Sequence, residues 1–206
     1  VSEYDFEPVR GLPGRLPEGE HILWQGSPEW KTLLRTALSG RLVAIYFALL
    51  IALGVATGNL TGAGVTLVAA SLALGLMTLF AWASARSTVY TLTNKRVVLR
   101  KGVAVPKCFN LPLKLVASAD LKPLGHGHGD IALTMSGQTR IAYFLLWPHA
   151  RPWRLKRPQP MLRSVPEAEA VAVQLAAACA ALGPIARVDE EAPAPVPAGM
   201  PASAAA

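Results

Sequence analysis

The side chains best suited to chemistry are few and scattered along this chain. His126 and His128 stand in the run Gly125-His126-Gly127-His128-Gly129, with Asp130 next. Imidazole and carboxylate groups bind zinc. Three ligands from one flexible glycine loop are more simply read as a solvated turn, so no metal site is expected. His149 lies in Pro148-His149-Ala150-Arg151. A general base, a pigment ligand and a packing residue are all open to it. No Ser or Cys nucleophile stands near it in sequence, and a structural or interface role is the expectation. The spacing of Cys108 and Cys179 matches no metal or redox motif. Two reduced, buried thiols are expected. No Gly-rich phosphate loop, His-Glu-x-x-His or Gly-x-Ser-x-Gly occurs. Neither a catalytic residue nor a cofactor is expected.

One stretch does concentrate binding chemistry. Trp147, His149, Arg151, Trp153 and Arg154, followed by Lys156 and Arg157, combine rings and cations on a proline-rich backbone. Prolines stiffen an extended segment, and Trp and Arg dominate binding hot spots. These first five residues are the expected partner surface. A packed loop, its tryptophans filling a gap between sheet and helix, is the competing reading.

The elements that must position this stretch begin with a membrane anchor. Residues 42–85 contain no Asp, Glu, Lys, Arg or His, between Arg41 and Arg86. One bilayer crossing takes roughly 20 apolar residues, so the run fits two crossings and a turn at Gly58–Gly62. It starts too late and runs too long for a secretory signal. Without an ionisable group it offers no ion path. Without a histidine it does not look like a stable pigment carrier. Lys31, Arg35 and Arg41 precede the run, and Arg86, Lys95 and Arg96 follow it. The positive-inside rule then puts both termini in the cytoplasm, with these six cations at the membrane surface. The formal charge of +7 is assigned to that surface. No nucleic-acid motif accompanies it.

Around the anchor, residues 1–20 are rich in Pro and Gly and read as an irregular arm. Residues 21–41 hold a short strand at Ile22–Gln25 and then an amphipathic helix, with Ser27 as N-cap and Pro28 at its first position. Residues 86–183 form a β-rich domain. Its first hairpin pairs Thr88–Leu92 with Val97–Arg100 across Thr93-Asn94-Lys95. Further strands are expected at Cys108–Leu113, Leu115–Ala119, Asp130–Met135 and Thr139–Leu145. A helix over Pro166–Leu182 closes the domain, with Val171, Leu175, Ala178 and Leu182 on one face. The Ala/Pro-rich tail, 184–206, is expected to be disordered.

Two segments resemble a known family. They are Glu20-His21-Ile22-Leu23-Trp24-Gln25-Gly26-Ser27-Pro28 and Tyr90-Thr91-Leu92-Thr93-Asn94-Lys95-Arg96-Val97-Val98. They resemble bacterial membrane proteins with a pleckstrin-homology-like domain, a β-barrel or sandwich closed by a C-terminal helix. A narrower resemblance runs through Gly129–Thr134, Arg140–Tyr143, Leu146-Trp147-Pro148-His149-Ala150-Arg151-Pro152-Trp153-Arg154 and Pro158–Arg163. With Phe6-Glu7-Pro8 and Gly11-Leu12-Pro13, these are similar to the PuhB family, photosynthetic complex assembly proteins of purple phototrophic bacteria.

The fold implied is a membrane α-helical hairpin plus that β-rich pleckstrin-homology-like domain. The function implied is non-enzymatic assembly of the photosynthetic reaction centre and core light-harvesting complex, at the bacterial inner (intracytoplasmic) membrane. The partners would be reaction-centre and light-harvesting polypeptides and the lipid bilayer, with self-association open. Two rivals stand beside it. One is a general membrane adaptor binding anionic lipid. The other is a factor that delivers or modifies pigment.

Overall fold

The computed structural model describes residues 10–12, 14–103, 105–137 and 141–183. Residues 1–9 of the arm, the tail 184–206, and Thr139 and Arg140 of one expected strand lie outside them.

Residues Ile22–Gly26 form β1, whose burial alternates so that one face is half-buried and the other exposed. A helix, α1 (Trp30–Thr36), follows. Its cap is Glu29 rather than Ser27, with the carboxylate accepting from the Lys31 and Thr32 amides. The reason is tertiary. The Glu29 amide donates to the Ser164 carbonyl at 2.9 Å, which keeps the chain extended until that point. Burial opposes the Glu29 charge, but the bonds from Thr32 and Lys31 hold its pKa below the usual value. Leu33 is fully buried, so α1 is tucked in on one side.

Two apolar helices follow, α2 (Gly40–Ala56) and α3 (Leu60–Ser87), packed as a hairpin. Their connection is tighter than the expected turn, because Asn59 caps α3 by accepting from the Gly62 amide at 2.9 Å. Close approach of the two helices is real where it matters. A Cβ on Gly54 would sit 3.1 Å from the Ala63 methyl, whereas Gly64 and Gly75 face open space. Leucines cover the outside: Leu42, Leu49, Leu53, Leu60, Leu72 and Leu79 are all exposed. Among the described residues, only α3 is by itself long and apolar enough to cross a membrane; α1 and α2 qualify together, bent by 60°.

The rest of the chain builds two antiparallel sheets. One has the order β1-β2-β3-β4, with β2 (Val89–Thr93), β3 (Arg96–Lys101) and β4 (Lys107–Pro112). The other has the order β5-β6-β7, with β5 (Val116–Gly125), β6 (His128–Met135) and β7 (Met161–Val165). The helix α5 (Ala168–Ala181) lies over them and buries Val171, Leu175 and Ala178, the expected face. Tyr90, Leu99, Leu111, Ile131, Leu133 and Leu162 meet beneath it in one core.

Two expectations fail here. The strand expected at 139–145 is, over its described part, the start of a short helix, α4 (Tyr143–Leu146), which plants Leu146 in the core. The third strand of the second sheet is instead β7, in a segment read as irregular. Fully buried strands lack the period-two alternation that marks half-buried ones, and β7 is buried at every position.

The order of the first sheet carries one further consequence. β1 precedes the helical hairpin and β2 follows it, yet they are bonded neighbours, with Trp24 opposite Leu92 and Gly26 opposite Tyr90. The hairpin is thus an excursion out of one sheet and back. The two segments that carried the family resemblance are this β1–β2 pair. Their ends are fastened to each other. Asn94 accepts from the His21 amide at 3.1 Å and donates to the Gly19 carbonyl at 2.9 Å. Thr93 donates to the Glu20 carboxylate at 2.8 Å.

Candidate interaction site at the junction of helix and sheet

The chain passes from α3 into β2 through Thr88 alone. Everything that packs around Thr88 therefore fixes the sheets relative to the hairpin. Thr88 is fully buried, and its hydroxyl lies 3.2 Å from His149 Nε2. The Tyr90 hydroxyl lies 2.8 Å from His149 Nδ1 and accepts from the Arg163 amide at 3.1 Å. The network is satisfied when Tyr90 donates to Nδ1 and a protonated Nε2 donates to Thr88. Burial, with the nearby charges of Lys101 and Arg163, pushes the His149 pKa down to about 3. The imidazole is neutral, and both its nitrogens are taken.

His149 is thus a correction to the expected partner surface. It is fully buried and pins the 147–150 segment against the helix–sheet junction. The other four members separate by role. Trp147 is half-exposed and stacks on Phe80 of α3, with ring centroids 5.5 Å apart and planes at 22°. Its carbonyl accepts from Lys101 Nζ at 2.6 Å. Arg151 serves as a clamp, its guanidinium donating to Asp120 at 2.6 Å and to Gln159 at 3.1 Å. With the Ala150–Pro160 bridge and the Arg151 amide bonded to the Gln159 carbonyl, it closes the base of a loop. Trp153 and Arg154 stand in that loop. Trp153 is 92% exposed, and Leu155 is exposed beside Arg154, Lys156 and Arg157.

The six expected membrane-surface cations also divide. Lys31, Arg35, Arg41 and Arg86 are exposed around the hairpin. Arg86 lies over the Trp82 ring at 5.8 Å, and Lys31 over Trp30 at 5.6 Å. Lys95 and Arg96, by contrast, sit at the far end of the β2–β3 hairpin. A five-residue strand carries them about 17 Å from the end of α3. Arg96 is also committed, with Nε 2.9 Å from Glu20, whose side chain is 3% exposed. Strand register brings different residues to the helix end: Val89 faces Arg100, and Lys101 follows. The turn at Thr93-Asn94-Lys95 already contained that register, and proximity in sequence to Arg86 obscured it.

Lys101, outside the six expected membrane-surface cations, is the lysine that the fold buries. It lines a cleft of about 240 Å³ with Phe80, Ser84, Val103, Trp147 and His149. Desolvation, then the charge of Lys107, lowers its pKa to about 8. Asp130, considered beside His126 and His128, instead turns inward. It is buried, accepts from the Ser164 amide at 2.8 Å, and lies close enough to the buried Arg163 for charge pairing. Burial raises its pKa, and the Ser164 bond and Arg163 pull it back.

Comparison with known proteins agrees with this architecture. The bacterial PH domain family matches residues 42–178, a span that takes in nearly all of α2, α3, the strands β2 to β7 and most of α5, with β1 outside it. The chain belongs to the bacterial PH domain family. A relative from Rhodobacter capsulatus, described as an uncharacterized 23.7 kDa protein in the puhA 5′ region, is 42% identical over 180 residues. The match covers 82% of this chain and 84% of that one. A crystal structure of a Shewanella loihica protein with a pleckstrin-homology domain matches with TM-score 0.31 and 15% identity, over 45% of this chain and 71% of that one.

Proposed function

We propose that this bacterial PH domain protein is a membrane-held, non-enzymatic assembly factor for the photosynthetic reaction centre and core light-harvesting complex. It binds partner polypeptides at the cytoplasmic face of the inner (intracytoplasmic) membrane and carries no cofactor. The observation that bears most weight is the clamped loop. Arg151 fixes its base while Trp153 is held 92% exposed among Arg154, Leu155, Lys156 and Arg157. An unshielded tryptophan followed in sequence by exposed cations is a binding surface in waiting. The photosynthetic assignment is supported by the resemblance to the PuhB family and by the relative's position in the puhA 5′ region.

The two-span reading draws on the β1–β2 pair. Strands bonded to each other lie on one side of a membrane. If α3 crosses, α2 must cross back, because the chain leaves β1 and returns to β2. At 17 residues, α2 reaches about 25 Å, and the bent α1 supplies the remainder at the headgroup level. The cations flanking both helices support a cytoplasmic sheet domain.

The test uses the full chain, affinity-tagged, in membranes of the source organism under pigment-inducing conditions. Reaction-centre and core light-harvesting polypeptides should be recovered with it. Recovery should fall when Trp153→Ala, Arg154→Ala, Lys156→Ala and Arg157→Ala are combined. Equal recovery by a correctly folded variant would reject the loop as the partner surface. A deletion strain with an unchanged near-infrared spectrum would reject the assembly role itself.

A further inference from the structure

The cleft beside α3 has a composition that the clamped loop does not explain. Its walls are apolar, from the rings of Phe80 and Trp147 and the side chain of Val103, and α3 adds Ser84 to the lining. Lys101 is its cation. The residue is 9% exposed, and its ammonium donates to the Trp147 carbonyl. An ammonium has three donors. Lys101 also stands directly opposite Lys107 in the β3–β4 register. Like charges facing each other across strands destabilise a sheet. Among the described residues, no carboxylate lines the cleft to offset them.

Height matters as much as chemistry. Phe80 lies two turns before the end of α3, and Trp82 with Arg86 marks the last turns. Tryptophan and arginine at a helix end sit at headgroup depth. Val103 and Val105, between β3 and β4 at that end of the sheet, are exposed. Gly102 is required there, since a Cβ would collide with the Val105 carbonyl oxygen. The volume, about 240 Å³, falls below the roughly 300–1,000 Å³ of drug-sized pockets. It suits a headgroup better than a pigment.

We infer that this cleft binds the phosphate of an anionic phospholipid, with Lys101 as its cation and Phe80, Val103 and Trp147 flanking the glycerol end. The site rests on the reading of α3 as a membrane span. It would hold the sheet domain, and the loop it carries, at a fixed height above the bilayer.

The full chain, reconstituted into phosphatidylcholine nanodiscs doped with phosphatidylglycerol, provides the test. Native mass spectrometry after gentle release counts the lipids retained. Wild type should keep phosphatidylglycerol over phosphatidylcholine, and Lys101→Met should reduce that preference about tenfold, the worth of one charge-assisted contact. Lys114→Met, exposed at the other end of the β3–β4 hairpin, should leave it unchanged. Equal preference in wild type and Lys101→Met overturns the site. Displacement of the lipid by millimolar inorganic phosphate would overturn the lipid assignment in favour of a free anion. A chain that fails to enter nanodiscs overturns the membrane reading instead. Should Lys101→Met misfold, photoactivatable phosphatidylglycerol on wild type decides the matter. Adducts on the Val103 or Trp147 peptides support the site, and adducts confined elsewhere overturn it.

Discussion

Acidification should destabilise this protein through His149, by an amount set by its burial. The imidazole is fully buried and bonded to Tyr90 and Thr88, with Lys101 and Arg163 as the nearby charges. Its pKa is about 3 in the folded protein, against 6.5 when solvated. Between those values the unfolded chain binds a proton that the folded chain refuses. Stability is therefore fully present above pH 6.5 and lost as pH falls toward 3. Each pH unit in that window costs about 1.4 kcal/mol. From pH 6.5 to 5 the loss is about 2 kcal/mol, or a fall in Tm of about 4–8 °C for a chain of this size. Asp130 acts in the opposite sense, because its pKa is raised, so its proton uptake offsets part of the loss at lower pH. The assay is intrinsic-fluorescence melting of the full chain in detergent at pH 7.5, 6.5, 5.5 and 5. His149→Gln, which keeps a donor and an acceptor without titrating, is the reference. The difference between the two melting curves should widen steadily below pH 6.5. Parallel pH dependence in wild type and His149→Gln would refute the assignment of a buried, neutral imidazole.

Three more outcomes follow from the geometry. Glu20→Gln should cost about 2 kcal/mol by removing the charged partner of Arg96. Urea denaturation measures it, and an unchanged midpoint would mean the arm is not fastened to the β2–β3 turn. Lys101, followed by NMR of isotopically labelled side-chain methylenes, should titrate near pH 8 rather than at the ordinary 10.5; a midpoint at the ordinary value would show an open, hydrated cleft. Gly102→Ala should destabilise by about 2 kcal/mol or more, because the backbone at φ 136° leaves no room for a Cβ. A melting temperature equal to wild type would show that the backbone at Gly102 and Val105 can relax.

Much of the fold was legible because its signals are local. The uncharged run from 42 to 85, the β-branched hairpin around Thr93-Asn94-Lys95 and the apolar spacing of α5 each announce one element by periodicity or composition. What escaped depends on contacts distant in sequence. β7 has no alternation to read, since both its faces are covered. The cap of α1 shifts from Ser27 to Glu29 because of a bond to Ser164, far along the chain. His149 looks like surface chemistry amid prolines and arginines, and only Tyr90 and Thr88 reveal it as core. Lys101 has no local signal of burial, and only strand pairing places it at the helix end and Lys95 away from it.

These placements also explain how a chain with little obvious chemistry can act through position. One residue, Thr88, joins α3 to β2, which leaves little length for a hinge. Thr88 is held by His149, whose neighbour Trp147 stacks on Phe80 of the same helix. The loop that exposes Trp153 begins two residues after His149 and is clamped by Arg151 onto β5. A continuous series of packed groups thus runs from the hairpin through a buried histidine to the exposed tip. A binding loop on a flexible tether would lose ordering entropy each time it engaged a partner. Here that entropy is already spent in folding, so the tip is presented in one orientation relative to α3. If α3 spans the bilayer, that orientation is fixed relative to the membrane.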